Sequence, residues 1–393
     1  MRAWLLAAFL CACSTSNAPA SPKTGIPNED ASFQPKDAAV EDVAVSLPSD
    51  ARAPTDAEAP LTLTAYPRRG SATDDSRPAR GPGLILVGGG VDVDASFVWA
   101  HDLVVGGTGR GGDVLVLRAS GADGYDAYLD GLTSWNSVQT LRIPPNATPT
   151  DLAFAARAVD AAEVVFFAGG NQGDYVAWRG SPLMQAVQRV YDRGGVVGGT
   201  SAGCAILGAS VNDATLAISE SITSKTMMAN PFDPAVHFTQ NMLVFPPLAK
   251  TITDMHFSVR DRMGRLVGFM ARQVADGVVP GPLPVVYGVA VDESTALVID
   301  KASRGKILRQ AATGSAFVVR GGSPDRAVRG EPLVYRDLRV FRLDTPTDHY
   351  DFARHCGQGR GYPLTAVGFP APAPYEYTPS DPYSATGTAE SCP

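Results

Sequence analysis

The stretch that decides the fold is VVGGTSAGCAILG, from Val196 to Gly208. Its centre, Gly199-Thr200-Ser201-Ala202-Gly203, has the G-x-S-x-G pattern, in which a serine sits on a sharp turn between a strand and a helix. β-Branched residues precede the pattern, and a helix-compatible run follows it. We therefore predict that the Ser201 hydroxyl projects from the turn and that the N–H of Ala202 can stabilise an oxyanion. An ordinary glycine-rich turn between a strand and a helix is the alternative interpretation.

Apolar runs that are typical of buried strands alternate with helix-compatible segments around this stretch. Two runs that precede it, Gly83–Gly90 and Glu163–Gly170, end in glycine. The alternation predicts an α/β fold with a mainly parallel sheet flanked by helices, and the short strands that follow predict a β-rich C-terminal part. Sites in such sheets lie at the carboxyl ends of the strands, where Ser201 and the glycine-rich strand ends would meet.

Two local expectations concern the region after residue 250. Ser258 is expected to cap a helix that runs to about Gln273. Residues 285–291 and 296–299 are expected to pair as a β-hairpin around Asp292-Glu293-Ser294-Thr295. The second expectation would place carboxylates on a turn that can reach a strand-end site.

The charge of the chain excludes one class of partner. The chain has 393 residues, a formal net charge of −7 and a sequence pI of about 5.3. That length suffices for one large domain or two small ones. No block of lysine and arginine is present, and proteins that bind nucleic acid need clustered basic charge to neutralise phosphates. The composition therefore argues against nucleic acid as a partner.

The N-terminus, MRAWLLAAFLCAC, has one basic residue followed by a short apolar run. The run is too short to span a bilayer and has the layout of a secretory signal. Leu10-Cys11-Ala12-Cys13 resembles a bacterial lipobox, which predicts residues 1–13 as the signal and Cys13 as a lipid anchor in a membrane. A plain cleaved signal is the alternative. In either case we expect an exported protein, either anchored to a membrane or secreted.

The remaining chain divides by composition. Residues 14–80 are rich in Ala, Pro, Asp and Ser, and such a segment cannot bury enough apolar surface to order itself. We expect a disordered tether over 14–80, a catalytic domain over 81–370, and a C-terminal tail rich in Pro, Tyr and Ser over 371–393.

Three cysteines lie beyond the predicted signal, at positions 204, 356 and 392. Export would place them in an oxidising compartment, where disulfides form. Cys356 and Cys392 both lie in the C-terminal region, so we predict a disulfide between them that staples the tail. Cys204 lies on the predicted elbow helix and is expected to be a small buried hydrophobic residue.

A serine hydroxyl is a weak nucleophile and needs a base, usually a histidine that a carboxylate orients. Sequence spacing does not choose among the histidines, because such a triad is assembled in space and a lone histidine is more often structural. His256 is the attractive candidate because it lies between a strand-like run and a predicted helix. The chain has five histidines: His101, His237, His256, His349 and His355.

Four segments, in this order along the chain, resemble one known family: Gly169-Gly170-Asn171-Gln172, Gly198–Gly203, Asp254-Met255-His256-Phe257 with the arginines after it, and Gly288–Glu293. Together they resemble cyanophycinases, which are serine peptidases related to peptidase E with a class I glutamine amidotransferase-like fold. The resemblance runs from about residue 83 to residue 351. It implies that fold and the hydrolysis of a cyanophycin-like β-aspartyl-arginine polymer to dipeptides through an acyl-enzyme, with no metal or cofactor.

The resemblance also implies roles for single residues. Ser201 matches the nucleophile, His256 the base and Glu293 the carboxylate that orients the base, with Asp292 as the fallback. The N–H groups of Gly170 and Ala202 are the expected oxyanion donors. Arginines near the base can clamp a carboxylate bidentately, although a solvated helix face is the alternative for them. The residues implied to bind substrate are Gln172, Asp254, Arg260, Arg262 and Arg265.

One departure from the family pattern leaves the substrate open. Met255 stands where the family has glutamine, which removes a polar contact from the expected substrate pocket. An aspartyl dipeptidase or another isopeptidase of the same fold is therefore the alternative enzyme, and a non-catalytic surface binding protein is the alternative of another class. A glutamine amidotransferase is disfavoured because the elbow carries serine rather than cysteine. The oligomeric state stays open, a homodimer included.

Overall fold

The computed structural model describes residues 60–107, 109–370 and 372–393. The predicted signal at 1–13, the predicted anchor Cys13 and the predicted tether up to residue 59 lie outside the described residues. Among the helices of the described ranges, none is long and apolar enough to cross a membrane.

Most of the regular structure is β-strand. The strands within the described residues are β1 Thr64–Ala65, β2 Arg69–Gly70, β3 Gly83–Val87, β4 Asp113–Arg118, β5 Ser137–Arg142, β6 Val164–Phe167, β7 Val196–Thr200, β8 Ser210–Asn212, β9 Phe238–Gln240, β10 Thr251–Asp254, β11 Val286–Val291, β12 Thr295–Ile299, β13 Arg304–Arg309, β14 Ala316–Gly321, β15 Val334–Leu343, β16 His349–Asp351, β17 Cys356–Val367, β18 Glu376–Thr378 and β19 Thr388–Glu390.

Helices connect the strands in the first two thirds of the fold. The α-helices are α1 Asp94–Val105, α2 Gly124–Leu132, α3 Pro149–Asp160, α4 Gln172–Val176, α5 Pro182–Asp192, α6 Ala202–Ala205, α7 Ser224–Ala229 and α8 Met263–Ala275, and short 3₁₀-helices cover Ser219–Ser221 and Pro246–Leu248. Ser181 caps α5 as its position before a proline suggests, and its side chain accepts a hydrogen bond from the N–H of Met184.

The first sheet has a parallel core in the order β5-β4-β6-β7-β3. β12 continues it antiparallel to β3, followed by β13 and β16. Alternate residues of β3 face opposite layers, as the period of a strand requires. Leu84 and Leu86 pack in the cluster that contains α3 and α5, whereas Ile85 and Val87 pack in the cluster that contains α1 and α2. Because both faces are covered, these strands are continuous apolar runs.

The second sheet runs in the order β9-β8-β10-β11-β14-β15-β17. β10 and β11 are parallel, and α8 packs on the sheet with its buried face in a third cluster. β17 also pairs with β16 of the first sheet, so the two sheets are joined there. The predicted α/β class, with a mainly parallel core and a β-rich C-terminal part, is confirmed.

The predicted hairpin over 285–299 is wrong. β11 pairs with β10 and β14 of the second sheet, whereas β12 pairs with β3 and β13 of the first. The chain between them therefore crosses from one sheet to the other. The two apolar runs identified both strands but contained no information on their partners, because a strand that is buried on both faces can pair with any apolar strand.

The helix predicted to start at Ser258 starts later, at Met263. Asp261 has a φ of 45°, in the left-handed region, which is incompatible with an α-helix through this turn. The N–H of Ser258 donates instead to the carboxylate of Asp292 at 2.9 Å. The expected cap is thus replaced by a contact between two loops.

The folded domain also extends beyond its predicted boundaries at residues 81 and 370. β1 and β2 pair with β5, and Thr62 donates to the buried carboxylate of Asp151. At the other end, β18 and β19 both pair with β17. Short pairing segments among Pro, Ser and Asp carry too little apolar pattern to be distinguished from a tether.

Candidate functional site

The serine at position 201 lies on a strained turn between β7 and α6. Its backbone has φ 51° and ψ −115°, a region that L-residues rarely occupy. The flanking glycines are required by close packing: a Cβ at position 203 would lie 2.2 Å from the carbonyl oxygen of Phe167, and one at 199 would lie 2.5 Å from Gly203. The G-x-S-x-G pattern therefore describes the steric needs of a sharp elbow at this place in the fold.

A chain of hydrogen bonds joins the elbow to two loops. The Oγ of Ser201 lies 2.8 Å from the Nε2 of His256. The Nδ1 of the same imidazole lies 2.6 Å from the Oε1 of Glu293. Ser201 follows β7 of the first sheet, His256 follows β10, and Glu293 follows β11 of the second sheet. This arrangement can move a proton from the hydroxyl to the imidazole while the carboxylate holds the ring.

The end of β3 fixes all three segments through consecutive main-chain carbonyls. Val87 accepts from the N–H of Ser201 at 3.1 Å, and Gly88 accepts from the N–H of His256 at 2.8 Å. Gly89 accepts from the N–H of Ser294, the neighbour of Glu293, at 2.7 Å. The glycine run at 88–90 thus sets the relative positions of the three polar side chains.

His256 is 4% exposed and adopts a left-handed φ of 49°. Burial, followed by the positive charges of Arg260, Arg262 and Arg265, lowers the pKa of the imidazole below its usual range. The hydrogen bond to the Glu293 carboxylate acts in the opposite direction. A neutral imidazole is the form that can accept the proton of a serine hydroxyl.

Asp292, the fallback for the orienting carboxylate, lies elsewhere. Its two oxygens accept from the N–H of Ser258 at 2.9 Å and the N–H of Ser315 at 2.8 Å. The structure therefore brings Glu293, and not Asp292, to the imidazole.

Two of the three arginines implied to bind substrate are buried. Arg265 is 1% exposed, and its Nε and Nη2 donate to the carboxylate of Asp254. Its Nη1 donates to the carbonyl oxygens of Ser219 and Ile222. Asp254 is also 1% exposed. Their mutual pairing explains how both charges are tolerated inside the fold.

Arg262 shares the same carboxylate less closely. Its Nη1 lies 3.6 Å from the Oδ1 of Asp254 and donates to the carbonyl oxygen of Met255 at 2.8 Å. Burial, followed by the charge of Arg265, lowers the pKa of Arg262 to about 9. One carboxylate thus faces two buried guanidinium groups. Arg260 is different, because its side chain is 30% exposed and pairs with Glu220 at 3.2 Å.

The methionine at 255 is buried against the arginines. Its sulfur lies 3.1 Å from the Nη1 of Arg262 and 3.7 Å from the Nη2 of Arg265. The side chain is 3% exposed, so it fills the space beside the guanidinium groups.

The expected oxyanion donors flank the elbow. Ala202 is the first residue of α6, and Gly170 follows the end of β6 with a φ of 145°. A Cβ at Gly169 would lie 3.7 Å from the Cβ of Ser201, which places the end of β6 beside the elbow. Gln172, the first residue of α4, is 3% exposed and donates to the carbonyl oxygen of Asn212 at 3.2 Å.

The cysteines are arranged as follows. Cys356 and Cys392 form a disulfide. Cys204 is a buried free thiol on α6, and burial raises its pKa well above the usual range. Within the described ranges, no group of three His, Cys, Asp or Glu side chains is placed to hold a metal ion.

Sequence reasoning placed the glycine-rich end of β3 at the site but did not predict that Gly89 packs directly on the imidazole. It also did not predict any contribution from the C-terminal tail. The tyrosines of the predicted tail contact the turn after His256, and aromatic hydroxyls that cap a helix have no recognised sequence signature.

Comparisons with known proteins give the following. No family model matches the chain, and no curated protein matches it. A solved peptidase from an acI-B1 Actinobacterium is similar at 15% identity and a TM-score of 0.42, over 70% of this chain and 98% of that one. A candidate peptidase E protein from Listeria monocytogenes EGD-e is similar at 13% identity and a TM-score of 0.37, over 59% of this chain and 100% of that one.

Proposed function

We propose that the protein is a serine-type peptidase. The observation that carries this proposal is the hydrogen-bonded chain from Ser201 through His256 to Glu293, with the serine on a strained elbow. A nucleophile, a base and a group that orients the base, within hydrogen-bond distance of one another, are the requirements of covalent acyl transfer.

The proposed reaction has two halves. The Oγ of Ser201 forms a bond to the substrate carbonyl carbon while its proton passes to the Nε2 of His256, and the Glu293 carboxylate stabilises the imidazolium. The N–H groups of Ala202 and Gly170 stabilise the oxyanion of the tetrahedral intermediate. The carbon–nitrogen bond then breaks and the imidazolium protonates the leaving amine. Water, deprotonated by His256, releases the acyl group and restores the serine.

The charges around the base support a substrate with a carboxylate near the scissile bond. Arg262 and Arg265 are buried and share the single carboxylate of Asp254, whereas the side chain of Arg260 is 30% exposed. Arg260 is therefore the guanidinium group that a substrate carboxylate would reach directly, and the two buried arginines would attract that carboxylate through their charge. We therefore propose a cyanophycin-like β-aspartyl-arginine polymer as substrate, with Arg260 and Gln172 as further contacts.

An aspartyl dipeptidase or another isopeptidase remains the second candidate because of Met255. Its sulfur occupies the space beside both guanidinium groups, where the resemblance led us to expect a polar amide. A site of this kind still attracts a carboxylate but offers fewer polar contacts to a polymer backbone.

The N-terminal sequence supports export and lipid attachment at Cys13 as part of the proposal. Incorporation of labelled fatty acid by the wild type and by Cys13→Ser tests the attachment. We expect label in the wild type and none in Cys13→Ser. If neither protein is labelled, the result would favour a cleaved signal without lipid attachment.

The activity is tested by incubating purified protein with cyanophycin and with β-aspartyl-arginine dipeptide, with Ser201→Ala in parallel. Mass spectrometry would detect β-aspartyl-arginine released from the polymer, or free aspartate and arginine from the dipeptide. Polymer cleavage by the wild type alone supports the proposed substrate, and dipeptide cleavage alone supports the second candidate. Hydrolysis retained by Ser201→Ala, or no reaction of Ser201 with a fluorophosphonate, would refute a serine mechanism.

A further inference from the structure

The segment from Tyr375 to Tyr383, which we call the tyrosine segment, lies against the turn that follows His256. The hydroxyls of Tyr375 and Tyr383 both donate to the carboxylate of Asp261, the latter at 2.6 Å. Asp261 is the residue of that turn with a left-handed φ of 45°. The predicted C-terminal tail thus supplies two hydrogen bonds to the loop that carries the base.

The same segment caps helix α8. The N–H of Met263 donates to the Tyr383 hydroxyl at 2.8 Å, and the N–H of Gly264 donates to the Tyr377 hydroxyl at 2.8 Å. The first N–H groups of a helix have no partner within it, and the N-cap residue Arg262 supplies no side-chain bond. The tyrosine hydroxyls therefore satisfy donors that the helix itself leaves open.

A short hydrogen-bonded turn connects this cap to the main chain of His256. The N–H of Arg260 donates to the carbonyl oxygen of His256 at 3.2 Å, and the N–H of Arg262 donates to that of Phe257 at 3.0 Å. The ring of Phe257 lies edge-on to Tyr383 with 5.6 Å between centroids. His256 and Asp261 both have a left-handed φ, a strained conformation that persists only where the surrounding structure holds it.

We infer that Tyr383 and Tyr377 are positioning residues for His256: they hold the turn over 257–262 so that the imidazole stays on the Ser201 hydroxyl. The end of the segment is itself fastened, because β18 and β19 pair with β17 and Cys392 is joined to Cys356. This inference rests on the proposed triad.

The experiment compares the wild type with Tyr383→Phe and with the Tyr377→Phe/Tyr383→Phe double variant. Phenylalanine keeps the rings and removes only the hydroxyls. Tyr335→Phe is the matched control, because Tyr335 is buried in the second sheet and its hydroxyl donates to the carbonyl oxygen of Gly322 at 2.5 Å. Each full-length protein is measured for its rate of Ser201 labelling by a fluorophosphonate from pH 5 to pH 9, amide hydrogen exchange over residues 256–264, and thermal unfolding.

We expect labelling of the double variant at pH 8 to fall about tenfold, because the turn loses the three hydrogen bonds that the two hydroxyls make to Asp261, Met263 and Gly264. Exchange over 256–264 should accelerate, and Tyr335→Phe should change neither quantity. A turn that loosens admits water to the imidazole, so the pKa of His256 should rise towards its usual 6.5 and labelling should fall further between pH 7 and pH 5. Among the described residues, the charged groups that face this region are Glu293, Arg260, Asp261, Arg262, Arg265, Asp254, Glu220 and Asp292.

A purely structural role for the tyrosines would lower the labelling rate by the same factor at every pH, in proportion to the folded fraction. That result, or wild-type labelling and wild-type exchange in the double variant, would overturn the inference. If the wild type is not labelled, the proposed function is refuted instead. Hydrogen exchange over residues 256–264 would then be the measurement that decides whether the tyrosines hold this turn.

Discussion

The imidazole of His256 occupies the space in which a side chain at Gly89 would lie. A Cβ at position 89 would be 2.2 Å from the Cε1 and 2.6 Å from the Nε2 of the ring. The carbonyl of the preceding Gly88 accepts the N–H of the same histidine. The glycine run after β3 is therefore part of the site: it holds the histidine by its backbone and leaves room for its ring.

Gly89→Ala is expected to abolish most of the reactivity without unfolding the protein. The methyl group would push the ring from the Ser201 hydroxyl, and a displacement of about 1 Å at a reacting group costs about 100-fold in rate. Gly180→Ala is the matched control, because Gly180 has a similar φ of 74° but no heavy atom within 4 Å of its Cβ position. Fluorophosphonate labelling of both variants checks this, and near-wild-type labelling of Gly89→Ala would contradict it.

Glu293→Gln should reduce the labelling rate of Ser201 at least about 100-fold, because an amide cannot stabilise the imidazolium as a carboxylate does. Asp292→Asn should label almost normally. It should lose about 1–3 kcal/mol of unfolding free energy, because an asparagine oxygen can accept only one of the two N–H groups of Ser258 and Ser315. If Asp292→Asn lost labelling and Glu293→Gln kept it, Asp292 would be the carboxylate that orients the imidazole of His256.

Asp254→Asn is expected to destabilise the fold by about 3–5 kcal/mol, because it removes the carboxylate that two buried guanidinium groups share. Urea denaturation followed by circular dichroism measures the loss. Glu220→Gln breaks the exposed pair with Arg260 and should cost less than about 1 kcal/mol. Equal stability of the two variants would show that Asp254 has no structural role.

Glu163→Gln should remove a pH dependence of stability. Burial, followed by the nearby carboxylates of Asp113, Asp74 and Asp75, raises the pKa of Glu163 to about 7 from its usual 4.5. The folded state then binds the proton more tightly than the unfolded state, so the wild type loses stability as the pH rises from about 4.5 to 7. Glutamine can still accept the N–H of Asp113.

The expected result at pH 8 is a Glu163→Gln protein about 1 kcal/mol more stable than the wild type, a value reduced for the partial exposure of the group. At pH 4 the two should be equal. Thermal unfolding at both values measures this, with the exposed Glu331→Gln as the control. A wild type that is the more stable protein at pH 8 would be inconsistent with the raised pKa.

The parts of the site that sequence could predict are those with local chemical requirements. The elbow at Ser201 needs glycines at fixed positions, and buried parallel strands are continuous apolar runs. Both features can therefore be recognised in the amino-acid sequence. The strand-end location of the site followed from the same alternation of strands and helices.

The parts that sequence could not predict depend on partners far away in the chain. The resemblance implied that Arg265 binds substrate, but its guanidinium is buried and donates to the carbonyl oxygens of Ser219 and Ile222, more than 40 residues away, as well as to Asp254. The contacts of the predicted C-terminal tail were not predicted, because the hydroxyls of its tyrosines accept hydrogen bonds from N–H groups of α8 that composition does not reveal. The partners of β11 and β12 could not be predicted either, because both strands are continuous apolar runs that do not specify which strand they pair with.

The crossing of the chain from β11 to β12 has a consequence for partly folded forms of this protein. Ser201 follows a strand of one sheet, whereas His256 and Glu293 follow strands of the other, so neither sheet alone carries all three residues of the proposed triad. A molecule in which both sheets are formed but have separated would keep the backbone hydrogen bonds of each sheet, but its Ser201 would not be labelled by a fluorophosphonate. Under the proposed function, labelling of Ser201 would therefore report whether the two sheets are joined, which spectroscopic signals of secondary structure do not detect.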